Sequence, residues 1–199
     1  PPAIPGARPM ALDAIALCAR ALLKIGATPI TAFTDGTAEA TVADALYPTT
    51  RDALLSANAW SFATAHVRLA RVDAVPVADF AFVHQLPSDF LRALSAGPEG
   101  RGRGLTCRIA GDRLESDAEG VVLAYVRRMP ETSFPPFFDQ ALIARLAAEF
   151  CIPLTENTSR AEALWRLAEG ESRRARLIDA QQDDQPGFVD FSLVEARRT

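Results

Sequence analysis

The sequence predicts an α+β fold: a mainly α-helical bundle with an inserted small antiparallel β lobe and an extended C-terminal tail. Three observations carry that expectation. Apolar residues recur at three-and-four spacing before residue 62 and again after residue 131. Between those limits they fall at every second position, the period of a half-buried strand. A polar linker holding Pro186-Gly187 then separates a last apolar segment from the helices. The expected organisation is an N-terminal arm over residues 1–9, helical body over 10–62, β lobe over 63–130, helical body again over 131–180, and linker with tail over 181–199.

Length and composition bound the class. A chain of 199 residues can bury a real core, and a hydrophobic fraction of 49% is that of a globular protein. The formal net charge of −4 supplies no global basic field toward nucleic acid or membrane. No apolar run approaches the ~20 residues that span a bilayer, and the proline-rich start, residues 1–9, lacks the apolar core of a signal peptide. Cys18, Cys107 and Cys151 are widely spaced and form no CxxC pair, and neither His66 nor His84 lies near a cysteine. A zinc site or disulfide framework is therefore not expected, and synthesis in a reducing cytoplasm is.

The first helix is expected over Met10 to Ile25, with Leu12, Ile15, Ala19, Leu22 and Leu23 as its stripe and Gly26 as its C-terminal cap. Asp35-Gly36-Thr37 supplies a turn and an N-cap for a second helix. The stretch from Thr37 to Phe62 is the one around which the chain is expected to be organised. Pro48 should kink or break it near Tyr47, Arg51 and Asp52 should be solvated, and Trp60 and Phe62 should plug the seam between helices and sheet.

The alternating runs are Val67 to Val72 and Phe80 to Leu86, followed by strand candidates at Phe90–Leu94, Leu105–Ile109, Arg113–Glu115 and Val121–Val126. Gly111-Asp112 and Glu119-Gly120 have hairpin spacing. Pro135 or Pro136 opens the next helix, whose face is Phe137, Phe138, Leu142, Leu146 and Phe150, and Pro153 closes it. Ser159 to Glu162 fits a capping box for the last helix, with Leu164, Leu167, Ala168, Ala175 and Ile178 on one face and Arg173, Arg174 and Arg176 solvated. Beyond the linker, Phe188, Val189, Phe191, Leu193 and Val194 form an apolar segment that must dock on another chain or on its own domain.

Catalytic patterns are weak. Gly100 to Gly104 lacks the Lys-Ser/Thr ending of a phosphate loop and reads as a hairpin loop whose Arg101 and Arg103 can meet DNA phosphates. No HExxH or GxSxG is present. Acid pairs such as Asp183/Asp184 and Glu169/Glu171 read as surface charge, and the two histidines as structural strand residues. No catalytic residue, cofactor or metal is expected.

The order of segments resembles the tail tubular protein A type of head-to-tail adaptor of tailed phages and phage-like particles. The resemblance runs over residues 10 to 180. It is carried by Ala21 to Ala27 before Pro29-Ile30, Phe33-Thr34-Asp35, and Tyr47-Pro48 with Arg51 to Leu55. It continues through Ala59-Trp60-Ser61-Phe62-Ala63, similar to the family's Trp-Asn-Phe-Ala motif, and Leu86 to Arg92, similar to its Leu-Pro-x-Asp motif. Phe134 to Phe138, Leu146 to Phe150 and Pro153-Leu154-Thr155 complete it. Ser61 stands where the family motif has Asn, and the β region is short beside larger podovirus members, a form that suits a siphovirus-like particle or gene transfer agent.

The resemblance implies a structural, non-enzymatic neck protein, assembled in the host cytoplasm. It implies a homo-oligomeric ring, typically of twelve subunits, beneath the portal, which extends the DNA channel toward a stopper or tail protein. The tail, Phe188 to Val194, would dock on the portal, Arg101 and Arg103 would meet passing DNA, and no membrane would take part. Two other classes stand beside it: a peptidoglycan-cleaving neck hydrolase, separable by zymography, and a DNA-binding module using Arg101, Arg103, Arg108 and Arg113, separable by salt-dependent DNA retention.

Overall fold

The computed structural model describes residues 12–74, 76, 79–98 and 102–182. The first helix, α1 (Ala14–Lys24), starts later than the apolar stripe implies, because the Asp13 carboxylate accepts from Ala16 N–H at 2.7 Å and caps it. Gly26, at φ +71°, ends it as expected. The Gly26 and Ala27 N–H groups reach back to the Leu23 and Leu22 carbonyls, both at 3.1 Å, in a Schellman arrangement. Thr37 caps α2 (Ala38–Ser56) as the sequence requires, its hydroxyl oxygen accepting from Ala40 N–H at 3.1 Å. Pro48 does not break α2. The carbonyl it leaves without a helical donor belongs to Asp44, and both residues face solvent, where a lost helix bond costs least.

The chain is organised around α3 (Pro136–Thr155) rather than around residues 37–62. Helices α1, α2 and α4 (Thr158–Ala180) all pack on it, while α1 and α2 barely touch. Its buried residues, including Phe138, Ile143, Ala144, Ala148 and Cys151, lie around most of its circumference, as a helix enclosed by others demands. Small residues, Ala144 and Ala148 against Ala168, let α4 approach closely. Helix α3 runs through Pro153 and ends where Glu156 turns left-handed at φ +53°. The N-cap of α4 is Asn157, whose side chain accepts from Arg160 N–H at 2.9 Å, and not the expected box at Ser159. Leu167, expected on the core face, is 45% exposed; α4 is seated by Ala161, Ala168, Ala175 and Asp179.

The expected helical bundle with a small lobe is overturned by the strand region. Among the described residues two antiparallel sheets fill it, and with four helices they make a mixed α+β fold. One sheet has the order β1-β7-β4, from Thr64–Arg68, Val121–Arg127 and Phe90–Pro98. The other has the order β2-β3-β6-β5, from Ala70–Val72, Phe82–Gln85, Arg113–Ser116 and Cys107–Ala110. The run Val67 to Val72 is therefore two strands in different sheets. They part at Leu69, which is buried and donates its N–H to the Val121 carbonyl at 2.9 Å. Gly111-Asp112 does turn a hairpin between β5 and β6, whereas Glu119-Gly120 crosses from one sheet to the other.

Strand β7 explains why the sheets are more than an appendage. Val121, Leu123 and Tyr125 point into a core shared with Leu114 of β6, while Val126 joins the helical core with Trp60 and Phe138. The three-stranded sheet is thus covered on both faces, which its near-continuous apolar sequence Val-Val-Leu-Ala-Tyr-Val reflects. Trp60 closes the junction. It is 1% exposed, donates its indole N–H to the Leu54 carbonyl at 3.0 Å, and meets Phe138 edge-on at 5.2 Å between ring centroids.

Candidate docking surface

Two motifs behind the adaptor resemblance lie at joints between the layers. The Trp60-Ser61-Phe62-Ala63 motif links α2 to β1 through a 3-10 turn at Ser61–Ala63. The turn is held from outside: the buried Asp179 carboxylate on α4 accepts from Ser61 N–H at 3.0 Å and from its hydroxyl at 2.6 Å. The Leu86-Pro87-Ser88-Asp89 motif carries the chain from the four-stranded to the three-stranded sheet. There Asp89 accepts from the Tyr125 hydroxyl at 3.0 Å and its carbonyl accepts from Arg128 N–H at 2.7 Å. These residues fix how the layers meet.

Arg51 and Asp52, expected to be solvated, instead tie α2 to the chain leaving β7. Their side chains are only 16% and 23% exposed. Glu131 accepts from the Tyr47 hydroxyl and from Arg51, each at 2.9 Å, and Asp52 accepts from Arg51 at 2.9 Å and from Arg128 at 2.6 Å. Burial alone raises both carboxyls. The Arg128 and Arg51 hydrogen bonds outweigh it at Asp52, and at Glu131 its own backbone N–H, Arg51 and Tyr47 do so, leaving both below the usual range. The same burial, with Glu131 beside it, raises the Tyr47 phenol. Sequence reasoning missed Glu131 because its partners Arg51 and Tyr47 lie 80 and 84 residues away.

A concave feature of this helical layer lies between the end of α2, the middle of α3 and the flank of α4. It has a volume of about 360 Å³, an apolar floor of Leu54, Ala57 and Trp60, and a rim bearing Arg145, Arg173 and Arg176 with Glu169. Arg145 is held in place: its guanidinium carbon lies 3.9 Å from the centre of the Trp165 ring, and its Nε donates to Glu149 at 3.2 Å. The Arg145/Glu149 spacing of four is visible in the sequence; its convergence with Arg173 and Arg176 is not. On the opposite flank of α4 a second groove runs between Pro136, Phe137, Gln140, Glu171, Arg174 and Ile178. Large apolar residues also stand out on the outer surface, Leu167 at 45% and Leu177 at 62% exposure on α4 among them.

The other predicted contacts are scattered. Arg103 is exposed in the β4–β5 connection, and Arg101 lies outside the described residues. Arg108 is paired with Glu115 at 2.6 Å and Asp79 at 3.3 Å, and Arg113 lies 3.8 Å from Asp112. Acids thus accompany the hairpin arginines that a DNA-binding module would use. The tail residues Phe188, Val189, Phe191, Leu193 and Val194 lie outside the described residues.

Among the titratable groups Asp139, in the first turn of α3, stands apart. Burial pushes its carboxyl up to about 6 against the pull of Arg20, and its Oδ1 is buried without a hydrogen-bond partner. His84 is fully buried, with Nε2 3.1 Å from the Glu119 carbonyl oxygen. The Cys18 thiol is buried in the helical core and pushed up to about 12, which makes it a poor nucleophile. Among the described residues no group of three or more His, Cys, Asp or Glu is placed to hold a metal ion, and no helix is long and apolar enough to cross a membrane. No protein-family model matches the chain, and no curated protein sequence matches it.

Proposed function

We propose that the chain is a structural head-to-tail adaptor of a phage-like particle, a ring subunit that sits beneath the portal and extends the DNA channel toward the tail. The observation that carries this reading is the ordered series of motifs from Ala21 to Thr155. Its two sharpest members fall at the layer junctions, where they set the subunit's shape. The outer surface supports the oligomeric part. Leu167 and Leu177 on α4 are large apolar side chains left in solvent, and the neighbouring copy in a ring is the occupant we assign to them. The C-terminal segment Phe188 to Val194 supplies the apolar residues for docking on the portal. The particle neck, with a stopper or tail protein below, is the corresponding location.

Electron microscopy of the chain mixed with purified portal tests this directly. The expected result is an added ring, coaxial with the portal and continuous with its channel. Portal particles with no added density after mixing at excess subunit would overturn the proposal.

A further inference from the structure

We infer that the arginine-rimmed pocket between α2, α3 and α4 is the resting site of the chain's own C-terminal segment. The segment would lie there in the free subunit and leave when the portal competes for it. This rests on the reading of Phe188 to Val194 as the portal-docking segment. Three observations converge on that occupant.

The first is charge. The rim carries Arg145, Arg173 and Arg176 against Glu169. Residues 183–199 carry Asp183, Asp184, Asp190 and Glu195 against Arg197 and Arg198, and the acids come first, around Phe188 and Phe191. In a chain of net charge −4, this basic rim and this acidic segment are natural counterparts.

The second is chemistry. The pocket floor is apolar, with Leu54 and Trp60 under the guanidinium groups. The segment interleaves its acids with Phe188 and Phe191, so an aromatic ring can enter the floor while Asp190 meets the rim. The volume of about 360 Å³ admits a side chain of that size.

The third is reach. Gln182 is the last described residue, and α4 ends at Ala180. Arg176 and Arg173 lie roughly 9 and 14 Å back along the helix from there, at ~1.5 Å per residue. Six extended residues from Asp183 to Phe188 span up to ~20 Å, enough to turn and lie back along this flank. The groove on the other flank, beside Glu171 and Arg174, is equally close but carries Arg174 against Glu171. Electrostatics therefore favours the flank of Arg173 and Arg176.

A disulfide race in the full-length chain without portal separates the possibilities. In a Cys107→Ser background, with Cys18 and Cys151 buried, Gly187→Cys is paired either with Ser172→Cys, which lines the pocket, or with Glu171→Cys, which lines the opposite groove. The two helix positions are adjacent in sequence, so an undocked tail would reach both at similar rates once each rate is divided by that thiol's own rate with a small disulfide reagent, which cancels the effect of neighbouring arginines on reactivity. We expect an intramolecular disulfide to form at Ser172→Cys at least tenfold faster than at Glu171→Cys. Adding Arg173→Glu and Arg176→Glu, both exposed positions, should erase that preference. Equal rates, a preference for Glu171→Cys, a disulfide between copies only, or a preference indifferent to charge reversal would each overturn the inference. Because no portal is present, these outcomes are independent of whether the chain is an adaptor.

Discussion

Asp179 and Ser61, 118 residues apart, are joined by the hydrogen bonds that lock α4 onto the junction between helices and sheets. A single buried carboxylate satisfies both the N–H and the hydroxyl of Ser61 at the start of a 3-10 turn. Replacing Asp179 by Ala strands those donors beneath α4. The expected cost is ~2 kcal/mol, whereas Ser61→Ala, which loses only the hydroxyl bond, should cost about 1 kcal/mol. Urea denaturation of the two single variants and the double variant checks this. Fully additive effects would mean the pair is not coupled.

The Tyr47–Arg51–Asp52–Arg128–Glu131 network makes stability fall in acid. The Asp52 and Glu131 carboxyls sit below their usual values in the folded chain. Their contribution is complete above the unfolded values of ~3.9 and ~4.3 and is lost as pH falls through the lower folded values. Asp52→Asn or Glu131→Gln should therefore destabilise at neutral pH and flatten the acid limb of a plot of unfolding midpoint against pH. An unchanged acid limb in both variants would refute the assignment.

Asp139 acts in the opposite sense. Its folded value of about 6 lies above the unfolded one, so the folded chain binds the extra proton and stability rises as pH falls from above 6 toward ~4. Asp139→Asn should stabilise the protein at pH 7.5 by about 1 kcal/mol after allowance for solvent screening, with the gain shrinking toward pH 4.5. Thermal melts at the two pH values measure it; equal gains at both would contradict the burial argument.

The α3–α4 seam is built for small side chains. Ala168 is 1% exposed against Ala144 and Ala148. Ala168→Leu should cost ~1–3 kcal/mol through overpacking, while Leu167→Ala, one residue away and half in solvent, should stay within about 0.5 kcal/mol. Chemical denaturation separates the two, and a tolerated Ala168→Leu would show that the helices are not in close contact.

If α4 faces a neighbouring copy, charge on its outer surface should block assembly without unfolding the subunit. Leu167→Glu with Leu177→Glu should leave the unfolding free energy within about 1 kcal/mol and abolish the portal-dependent ring seen by electron microscopy. Rings of normal appearance from this variant would place the subunit contact elsewhere.

Much of the helical layer was legible in the sequence because its signals are local. Thr37 and Gly26 mark ends by capping chemistry that needs no partner beyond the next turn. The sheets were harder. In the run Val67 to Val72 the alternation slips by one residue at Leu69-Ala70, and the bond from Leu69 to Val121 shows that this slip is where the chain passes between two sheets. The role of α3 was hidden for a related reason: enclosure by three helices shows as apolar residues around most of its circumference, which a search for one stripe understates. The pocket was less legible still. Arg145, Arg173 and Arg176 look like ordinary surface charge until the packing of α3 on α4 brings them to one rim.

Co-sedimentation with the purified portal ring tests the adaptor assignment most directly, using the full chain beside one truncated after Gln185. The account predicts that the full chain pellets with the portal and that the truncated chain, lacking Phe188 to Val194, stays in the supernatant. Failure of the full chain to pellet at any subunit excess would contradict the account. Equal pelleting of both chains would remove the tail from the interface.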